Sequence, residues 1–296
     1  MTARPRVHVV ARVPEPVEAA LERSFELVPE PEDVDGLVPI PGVRVDGALL
    51  DRCGPRLRIV ANYAVGLDNV DLEAARARGL VVSNTPDVLT RATAELTLAL
   101  LLALVRRIVE GDRLLRRREP WRLEPTFMLG RGLDGRTLGV VGAGRIGSEV
   151  ARLAEAFGMR PVLVRSGDPL EDALACDVVT LHCPLTPGTR HLIDAAALAR
   201  MRPEAVLVNT SRGPVVDEAA LVDALRERRL AGAALDVFED EPRVHPGLLE
   251  LPNVVLAPHL GSATHEAREA MGMLCVDALR AVLLEGRVPP NAVVAP

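Results

Sequence analysis

A glycine-rich turn near the middle of the chain is the feature that most constrains its fold. Thr137–Val141 has the composition of a short buried strand, and the apolar spacing of residues 148–157 predicts a helix. Between them stand Gly142, Gly144 and Gly147, in a G-x-G-x-x-G pattern. Such glycines permit, in order, a sharp turn, close approach of backbone to a pyrophosphate, and close packing of helix on strand. Because a helix N-terminus also attracts phosphate, the pattern predicts a dinucleotide-binding unit, with a tight packing turn as the alternative.

The chain has 296 residues, enough for about two domains with separate cores. A full domain's length of chain precedes the glycine-rich turn. Two cycles of alternating strand and helix patterns fit this division, and such alternation predicts parallel sheets with right-handed crossovers. The predicted strands are Val7–Val10, Phe25–Val28, Gly36–Pro39, Leu57–Ala61 and Leu80–Ser83 in the first cycle, then Leu138–Val141, Pro161–Val164, Val178–Leu181, Ala205–Asn209, Ala231–Asp236 and Val254–Ala257 in the second.

Two long helical patterns flank the second cycle. One runs from Ala92 to about Arg118 after the polar segment Ser83–Arg91, which we interpret as a hinge between domains. The other, about Ser262–Leu284, is expected to pack back on the first domain. We therefore predict an α/β protein with two Rossmann-like or flavodoxin-like domains and parallel sheets. The nucleotide-binding domain (92–262) is inserted into a discontinuous substrate domain (1–91 and 263–296).

The amino-acid composition argues against several classes of binding partner and excludes several types of catalytic chemistry. The formal net charge of −6 argues against nucleic acid or an anionic membrane as a partner. All 35 basic residues are arginine, which excludes Schiff-base chemistry, a pyridoxal-phosphate lysine and the lysine of a phosphate-binding P-loop.

The cysteines and the N-terminus favour a cytoplasmic protein without a metal site. Cys53, Cys176, Cys183 and Cys275 are scattered, with no C-x-x-C pair and no histidine at metal-ligand spacing. The first residues lead directly into a strand pattern, so we expect no signal peptide. The longest apolar run, Leu96–Val105, is too short to span a bilayer and predicts a helix buried in a core or a subunit interface.

The end of the second strand of the second cycle bears on the choice of cofactor. Enzymes that use NAD usually have an Asp or Glu there for the ribose 2′-hydroxyl, whereas this chain has Arg165 followed by Ser166. An arginine binds phosphate through paired N–H donors, so we predict NADP(H) in preference to NAD(H). The alternative, with Arg165 in solvent and Asp168 on the ribose, stays open.

Arg212, Glu241 and His259 each follow a predicted strand of the second cycle. Singly, each has a structural explanation: a surface turn, a solvated acidic loop and a structural histidine. Because parallel strands gather the loops at their carboxyl ends, the three together favour one shared site. Reduction of a ketone by hydride needs a proton donor, which histidine supplies near neutral pH and an adjacent carboxylate supports. An arginine binds a substrate carboxylate and polarises the carbonyl.

With these residues in place, the sequence closely resembles the D-isomer-specific 2-hydroxyacid dehydrogenase family along nearly its whole length. The motifs that carry the resemblance are NYAVGLDNVD (Asn62–Asp71), NTPDVLTRATAELTLALLLA (Asn84–Ala103), LDGRTLGVVGAGRIG (Leu133–Gly147), LHCPLTPGTRHLID (Leu181–Asp194), VNTSRGPVVDEAAL (Val208–Leu221), ALDVFEDEP (Ala234–Pro242) and APHLGSA (Ala257–Ala263).

The resemblance implies that His259 is the general acid/base, Glu241 its acid partner and Arg212 the substrate-binding arginine. It also implies that the N–H groups of Val65 and Gly66 hold the substrate carboxylate. Members of the family are usually dimers joined through the helix that corresponds to Ala92–Arg118. Asp236 would accept a hydrogen bond from the nicotinamide carboxamide. The predicted cofactor-binding residues are Gly142, Gly144, Arg145, Ile146, Gly147, Arg165, Ser166, Cys183, Pro184, Thr210, Ser211, Asp236 and Gly261.

Within the family, NYAVGLDNVD, NTPDVLT and HLGSA look most like the glyoxylate/hydroxypyruvate reductase branch, which implies reduction of a small 2-oxo acid to the D-2-hydroxy acid. Two features depart from that branch: the order Arg165–Ser166, where Ser or Thr usually precedes Arg, and shortened segments at 28–43 and 167–176. Alternative substrates are D-lactate or 3-phosphoglycerate, for which Arg91 is a candidate phosphate ligand. A non-catalytic nucleotide sensor is an alternative of another class.

Overall fold

A computed structural model describes residues 4–295 of the chain. The chain divides into two compact units, Met1–Leu89 with Ser262–Pro296, and Thr90–Gly261. Each unit contains one six-stranded sheet. The predicted α/β class with parallel sheets is confirmed, with one antiparallel strand added. The assignment of the first unit to the substrate stays a prediction.

The elements occur along the chain in the following order: β1 (Arg6–Val9), α1 (Glu15–Ser24), β2 (Glu26–Val28), β3 (Gly36–Val38), α2 (Gly47–Cys53), β4 (Ile59–Ala61), α3 (Leu72–Ala77), β5 (Val81–Ser83), α4 (Thr90–Val105), α5 (Ile108–Arg116), β6 (Thr137–Val141), α6 (Arg145–Glu155), β7 (Arg160–Val164), α7 (Glu171–Leu174), β8 (Val178–Leu181), α8 (Ala195–Arg200), β9 (Val206–Asn209), α9 (Glu218–Arg226), β10 (Gly232–Leu235), α10 (Pro246–Leu249), β11 (Val254–Leu256), α11 (His265–Leu283) and β12 (Ala292–Val294).

The sheet of the first unit has the strand order β12-β5-β4-β3-β1-β2. Its strands are short and mostly apolar, as parallel strands covered on both faces usually are. α1 packs against α11, where a Cβ on Gly272 would come within 2.5 Å of the Val17 side chain. α2 and α3 contribute Leu50 and Ala75 to a second apolar cluster with Leu37. β12 pairs antiparallel with β5, although the sequence pattern did not predict a strand there.

The sheet of the second unit has the order β11-β10-β9-β8-β6-β7, and all its strands are parallel. One apolar cluster includes α4 and α6, and another includes α7, α8 and α9. β6 pairs with β7 on one side and with β8 on the other, so the direction of winding reverses beside β6. Open α/β sheets bind ligands beyond the carboxyl ends of the strands at such a reversal. Here that position lies beside Gly142, after β6, and Cys183, after β8.

The helix predicted over 92–118 is two helices in the structure. α4 ends at Val105, α5 begins at Ile108, and Arg107 between them has a left-handed φ of 55°. The Val105 carbonyl accepts a hydrogen bond from the Arg131 N–H at 2.9 Å. The backbone at Gly130 passes so close that a Cβ would lie 2.5 Å from the Val105 oxygen. The segment of Gly130 and Arg131, distant in sequence, therefore ends α4. The apolar pattern of the helix itself does not indicate that it ends there.

Candidate active site

The three glycines after β6 have backbone positions that suit a bound pyrophosphate. Gly142 has a φ of 91°, and a Cβ there would lie 2.5 Å from the Cys183 nitrogen. A Cβ on Gly147 would lie 2.3 Å from the Gly142 oxygen, so helix α6 packs closely on the turn. At Gly144 a Cβ would meet no described atom within 4 Å, which leaves the backbone open to a ligand. α6 begins directly afterwards at Arg145, and none of the described side chains caps it, so its first N–H groups suit phosphate.

The tip of β7 carries the residues predicted to select the cofactor. Arg165 and Ser166 are both exposed. The Arg165 N–H donates to Oδ2 of Asp168 at 2.8 Å, and the Asp168 N–H donates back to the Arg165 carbonyl at 3.1 Å. Gly167 within this turn has a φ of 94°. Asp168 thus closes its own turn.

The residues predicted to border the nicotinamide follow β8 and β9. Cys183 is buried beside the glycine-rich turn, and burial raises the pKa of its thiol to about 11; Pro184 after it is exposed. The Thr210 hydroxyl lies 2.9 Å from the Thr97 hydroxyl, and the Ser211 hydroxyl donates to Oδ1 of Asn209 at 2.8 Å. These hydroxyl groups are therefore held by the protein itself.

His259 and Glu241 form a close pair. Nδ1 of His259 lies 2.8 Å from Oε2 of Glu241, and Oε1 of Glu241 accepts the Phe238 N–H at 3.0 Å. Burial alone would raise the pKa of Glu241, but the hydrogen bond and charge of His259, the Phe238 N–H and the charge of Arg212 together lower it. Because the pKa of Glu241 is lowered in the folded protein, the contribution of the pair to stability is fully present above the usual pKa of a glutamate. That contribution is lost as pH falls through the lowered pKa.

Asp236 fixes the backbone around His259 by accepting hydrogen bonds from it. Its Oδ1 accepts the Leu260 N–H at 2.7 Å, its Oδ2 accepts the Gly261 N–H at 2.8 Å, and its carbonyl accepts the His259 N–H at 2.8 Å. These bonds keep His259 in a left-handed conformation with a φ of 53°. Asp236 is almost fully buried, and that burial raises the pKa of its carboxyl. The predicted hydrogen bond from the nicotinamide carboxamide to Asp236 stays a prediction.

Arg212 follows β9, Glu241 follows β10 and His259 follows β11. β10 pairs with β9 on one side and with β11 on the other. The Arg212 carbonyl accepts a hydrogen bond from Nδ2 of Asn209 at 2.9 Å, and its side chain donates to the Ser211 carbonyl at 2.9 Å. The following residue, Gly213, packs so tightly that a Cβ would lie 1.8 Å from the Phe238 oxygen. The three predicted residues therefore lie on adjacent loops at one edge of the sheet.

The segment around Val65 and Gly66 belongs to the first unit, and three asparagines hold it. The Val65 carbonyl accepts a hydrogen bond from Asn84 at 2.9 Å, and the Gly66 carbonyl accepts one from Asn62 at 2.8 Å. Asn62 and Asn69 exchange amide hydrogen bonds of 3.0 and 3.3 Å. Because the N–H of a trans peptide points opposite to its carbonyl, the Val65–Gly66 peptide directs the Gly66 N–H away from Asn84. The sequence interpretation missed these asparagines, which gave no signal beyond their presence in two motifs.

Residues 4–295 contain neither a cluster of metal ligands nor a membrane-spanning helix. In that part of the chain no three His, Cys, Asp or Glu side chains are grouped to hold a metal ion. Within the same residues no helix has the length and apolar character needed to cross a membrane.

Residues 98–261 match the sequence profile of the NAD binding domain of D-isomer specific 2-hydroxyacid dehydrogenases. The glyoxylate reductase of Thermococcus litoralis is 44% identical over 98% of this chain and 97% of its own length. The chain belongs to the D-isomer specific 2-hydroxyacid dehydrogenase family. The resemblance inferred from its motifs is thus confirmed, and with it the class of enzyme, an oxidoreductase that uses a nicotinamide cofactor.

Other proteins are similar over most or all of their length. The glyoxylate reductase of Aeropyrum pernix is 48% identical over 95% of this chain and 87% of its own. A crystal structure from Thermus thermophilus matches with a TM-score of 0.90 and 45% identity, covering 98% of this chain and all of that one. The NADPH-dependent glyoxylate/hydroxypyruvate reductase of Sinorhizobium meliloti, solved with NADP and malonate, matches with a TM-score of 0.87 and 38% identity, covering 99% and 97%.

Proposed function

We propose that this dehydrogenase reduces glyoxylate or hydroxypyruvate to the hydroxy acid, forming the D isomer where a stereocentre arises. The observation that carries the proposal is the His259–Glu241 pair of 2.8 Å, on the two loops that follow β10 and β11, next to the loop that carries Arg212. The full-length similarity to glyoxylate reductases supports the choice of substrate.

The roles of the three residues follow from their chemistry. When bound, the reduced nicotinamide supplies the hydride. Arg212 binds the substrate carboxylate through paired N–H donors and polarises the adjacent carbonyl. Charge develops on the carbonyl oxygen as it is reduced, and His259 donates a proton to that oxygen. Glu241 contacts Nδ1, so it orients the imidazole and leaves Nε2 as the nitrogen that faces the substrate.

Steady-state kinetics of the purified chain test this function directly. We expect the absorbance of the reduced cofactor to fall with glyoxylate and hydroxypyruvate at a higher kcat/KM than with pyruvate or 3-phosphohydroxypyruvate. Each substrate is assayed with both NADH and NADPH. Failure of all four 2-oxo acids to consume either cofactor would contradict the proposal.

The structure offers no support for a phosphorylated substrate. Arg91, the cation considered for a phosphate, donates to Glu95 and, at 2.9 Å, to Glu149 of its own unit. A non-catalytic sensor would not need the His259–Glu241 pair, which is formed here.

For the cofactor we propose a preference for NADP(H). Arg165 is exposed at the tip of β7, where it is available to bind the 2′-phosphate. The competing ribose ligand, Asp168, directs Oδ2 to the Arg165 N–H. A relative that is 38% identical was solved with NADP and is NADPH-dependent.

The variant Arg165→Asp tests this preference. Loss of a charge-assisted pair is worth about 1.5–3 kcal/mol, or roughly tenfold to a hundredfold in binding, and the new carboxylate also repels phosphate. We therefore expect the ratio of kcat/KM for NADPH over NADH to fall by at least about tenfold. Arg160→Asp, at the opposite end of the same strand, should leave the ratio unchanged. A wild-type ratio below one, or a ratio that Arg165→Asp does not alter, would refute the preference.

We propose further that the chain forms a homodimer through the region that begins with the 92–118 helices. α5 contains no buried residue. Several large apolar side chains of α5 and of the loop that follows it are exposed, and a contiguous patch of such side chains usually marks an interface. They are Ile108, Leu115, Trp121, Leu123, Phe127 and Leu129.

Light scattering tests the dimer. The wild-type chain is expected at twice its monomer mass, and the double variant Leu123→Asp/Leu129→Asp at the monomer mass, because charges at a buried interface are costly. Leu249→Asp is the control, because Leu249 is 63% exposed elsewhere in the same unit. A monomeric wild-type protein would exclude this arrangement.

For the cellular location we propose a reducing compartment, the cytoplasm. All four cysteines are free and buried, and burial raises the pKa of Cys53 and of Cys183 to about 11. Proteins that keep several unpaired thiols are typical of such a compartment.

A further inference from the structure

Glu239 lies two residues before Glu241, in an acidic stretch that the sequence pattern predicts to be a solvated loop. Its side chain is only 26% exposed and makes several polar contacts. Oε1 accepts hydrogen bonds from Nε2 of His191 at 2.6 Å and from Arg190 at 3.1 Å. Oε2 lies 3.5 Å from the Glu218 N–H. Glu239 therefore connects its loop to two other segments of the same unit.

Glu218 attaches the same loop through its own carboxylate. It begins α9, is 5% exposed, and accepts the Glu239 N–H on Oε1 at 2.6 Å. Burial raises the pKa of its carboxyl. The two glutamates thus each face the other's backbone N–H, which ties the loop to the start of a helix.

His191 links this loop to the turn that follows Arg212. Its backbone N–H donates to the Pro214 carbonyl at 2.8 Å, while its imidazole contacts Glu239. Gly213, next to Pro214, lies against the Phe238 carbonyl with no room for a side chain. The loops carrying Arg212 and Glu241 are therefore held together by direct backbone contact and by His191.

We propose that Glu239 is a positioning residue, which with His191 and Glu218 holds the 238–241 loop so that Glu241 faces His259. The inference rests on the proposed function, in which Glu241 orients His259. Phe238 transmits the constraint, because its N–H holds one Glu241 oxygen while the other contacts His259. Without the hydrogen bonds of the Glu239 side chain, the loop would shift, and the Phe238 N–H would no longer be in position to donate to Glu241.

The test compares two neighbouring substitutions of the same kind. Glu239→Gln keeps the shape of the side chain but weakens its bonds to His191 and Arg190. Asp240→Asn is the matched control, since Asp240 is exposed and pairs with Arg243. Displacing a catalytic group by about 1 Å can cost on the order of a hundredfold, so we expect kcat of Glu239→Gln to fall roughly tenfold or more. The Kd for NADPH should remain unchanged, and Asp240→Asn should behave as the wild type.

A pH profile separates positioning from a merely structural role. Burial raises the pKa of Glu241, but its contacts with His259, with the Phe238 N–H and with Arg212 lower it below its usual value. The charged groups of this region are Glu241, Asp236 and Arg212 around His259, and Arg190, His191 and Glu218 around Glu239. In Glu239→Gln a Glu241 carboxylate that has moved away from His259 and the Phe238 N–H loses this lowering, so we expect the acidic limb of kcat/KM for reduction to move to higher pH.

His191 provides an independent variant. His191→Gln retains an N–H donor for Glu239, whereas His191→Ala does not. Both carry the same backbone cost, because residue 191 has a φ of 50°. We expect His191→Ala to reproduce the fall in kcat and the shift in the pH limb, and His191→Gln to restore most of both.

The outcomes distinguish this inference from the proposed function. Glu241→Gln is measured in parallel: loss of activity there without loss in Glu239→Gln would overturn the positioning role alone. Wild-type kcat in both variants would overturn the acid–base role of the pair. A lower Tm in Glu239→Gln with a normal kcat and an unmoved pH limb would show that Glu239 only stabilises the fold.

Discussion

Replacing His259 with glutamine is expected to lower kcat for glyoxylate reduction by on the order of a hundredfold or more. A positioned proton donor contributes about 10² to 10⁴ in rate, and a glutamine amide does not release a proton. The Kd for NADPH should change little, because the contact made by the His259 side chain is with Glu241. Steady-state kinetics and calorimetric titration of the cofactor measure the two quantities separately.

His265→Gln is the control for this substitution. His265 is exposed at the start of α11, outside the candidate site, so its replacement should leave kcat unchanged. Glu241→Gln should show a smaller loss than His259→Gln, because it disturbs the orientation and charge of the imidazole but leaves it present. If His259→Gln retained near-wild-type turnover, His259 would have no part in the mechanism.

The second large effect is expected for Arg212→Lys, because a lysine should not replace this arginine in function. A single ammonium group cannot reproduce the planar, bidentate contact that a guanidinium makes with a carboxylate. Loss of a charge-assisted hydrogen bond is worth about 1.5–3 kcal/mol, so KM for glyoxylate should rise by roughly tenfold to a hundredfold. We expect a smaller fall in kcat, because the arginine also polarises the carbonyl.

Arg226→Lys is the matched control for Arg212→Lys. Arg226 lies in α9 of the same unit and pairs on the surface with Glu250, and such exposed pairs contribute little. Its replacement should leave both kinetic constants unchanged. An unaltered KM in Arg212→Lys would mean that the substrate carboxylate is bound elsewhere.

Much of the fold was predictable because its signals are local. The strands predicted in both sheets are short apolar runs bounded by polar turns, and their observed bounds differ from the predicted ones by no more than two residues at either end. The need for glycine at Gly142 and Gly147 was also predictable: Gly142 has a left-handed φ, and a Cβ on Gly147 would lie 2.3 Å from the Gly142 oxygen, so both positions disfavour a side chain.

Other features depended on partners far away in sequence. α4 ends at Val105 because Arg131 supplies the next hydrogen bond, so the apolar pattern alone predicted one continuous helix. β12 has three residues and forms because β5 offers it an open edge. The local sequence also does not decide whether a carboxylate side chain faces solvent, a ligand or the backbone of another segment. Glu239 binds His191, which lies 48 residues earlier, and this contact was not predictable from the chain.

By itself, the sequence determined the fold class, the family and the loops that carry the predicted site residues, because strand periodicity, glycine spacing and motif order are properties of neighbouring residues. Only the tertiary structure decided which of these residues contact one another. It placed Glu241 against His259, used both oxygens of Asp236 to hold the His259 loop, and made Glu239 part of the support for Glu241. Such contacts arise when parallel strands bring separate loops to one edge of a sheet, where each hydrogen bond depends on the position of every neighbouring loop.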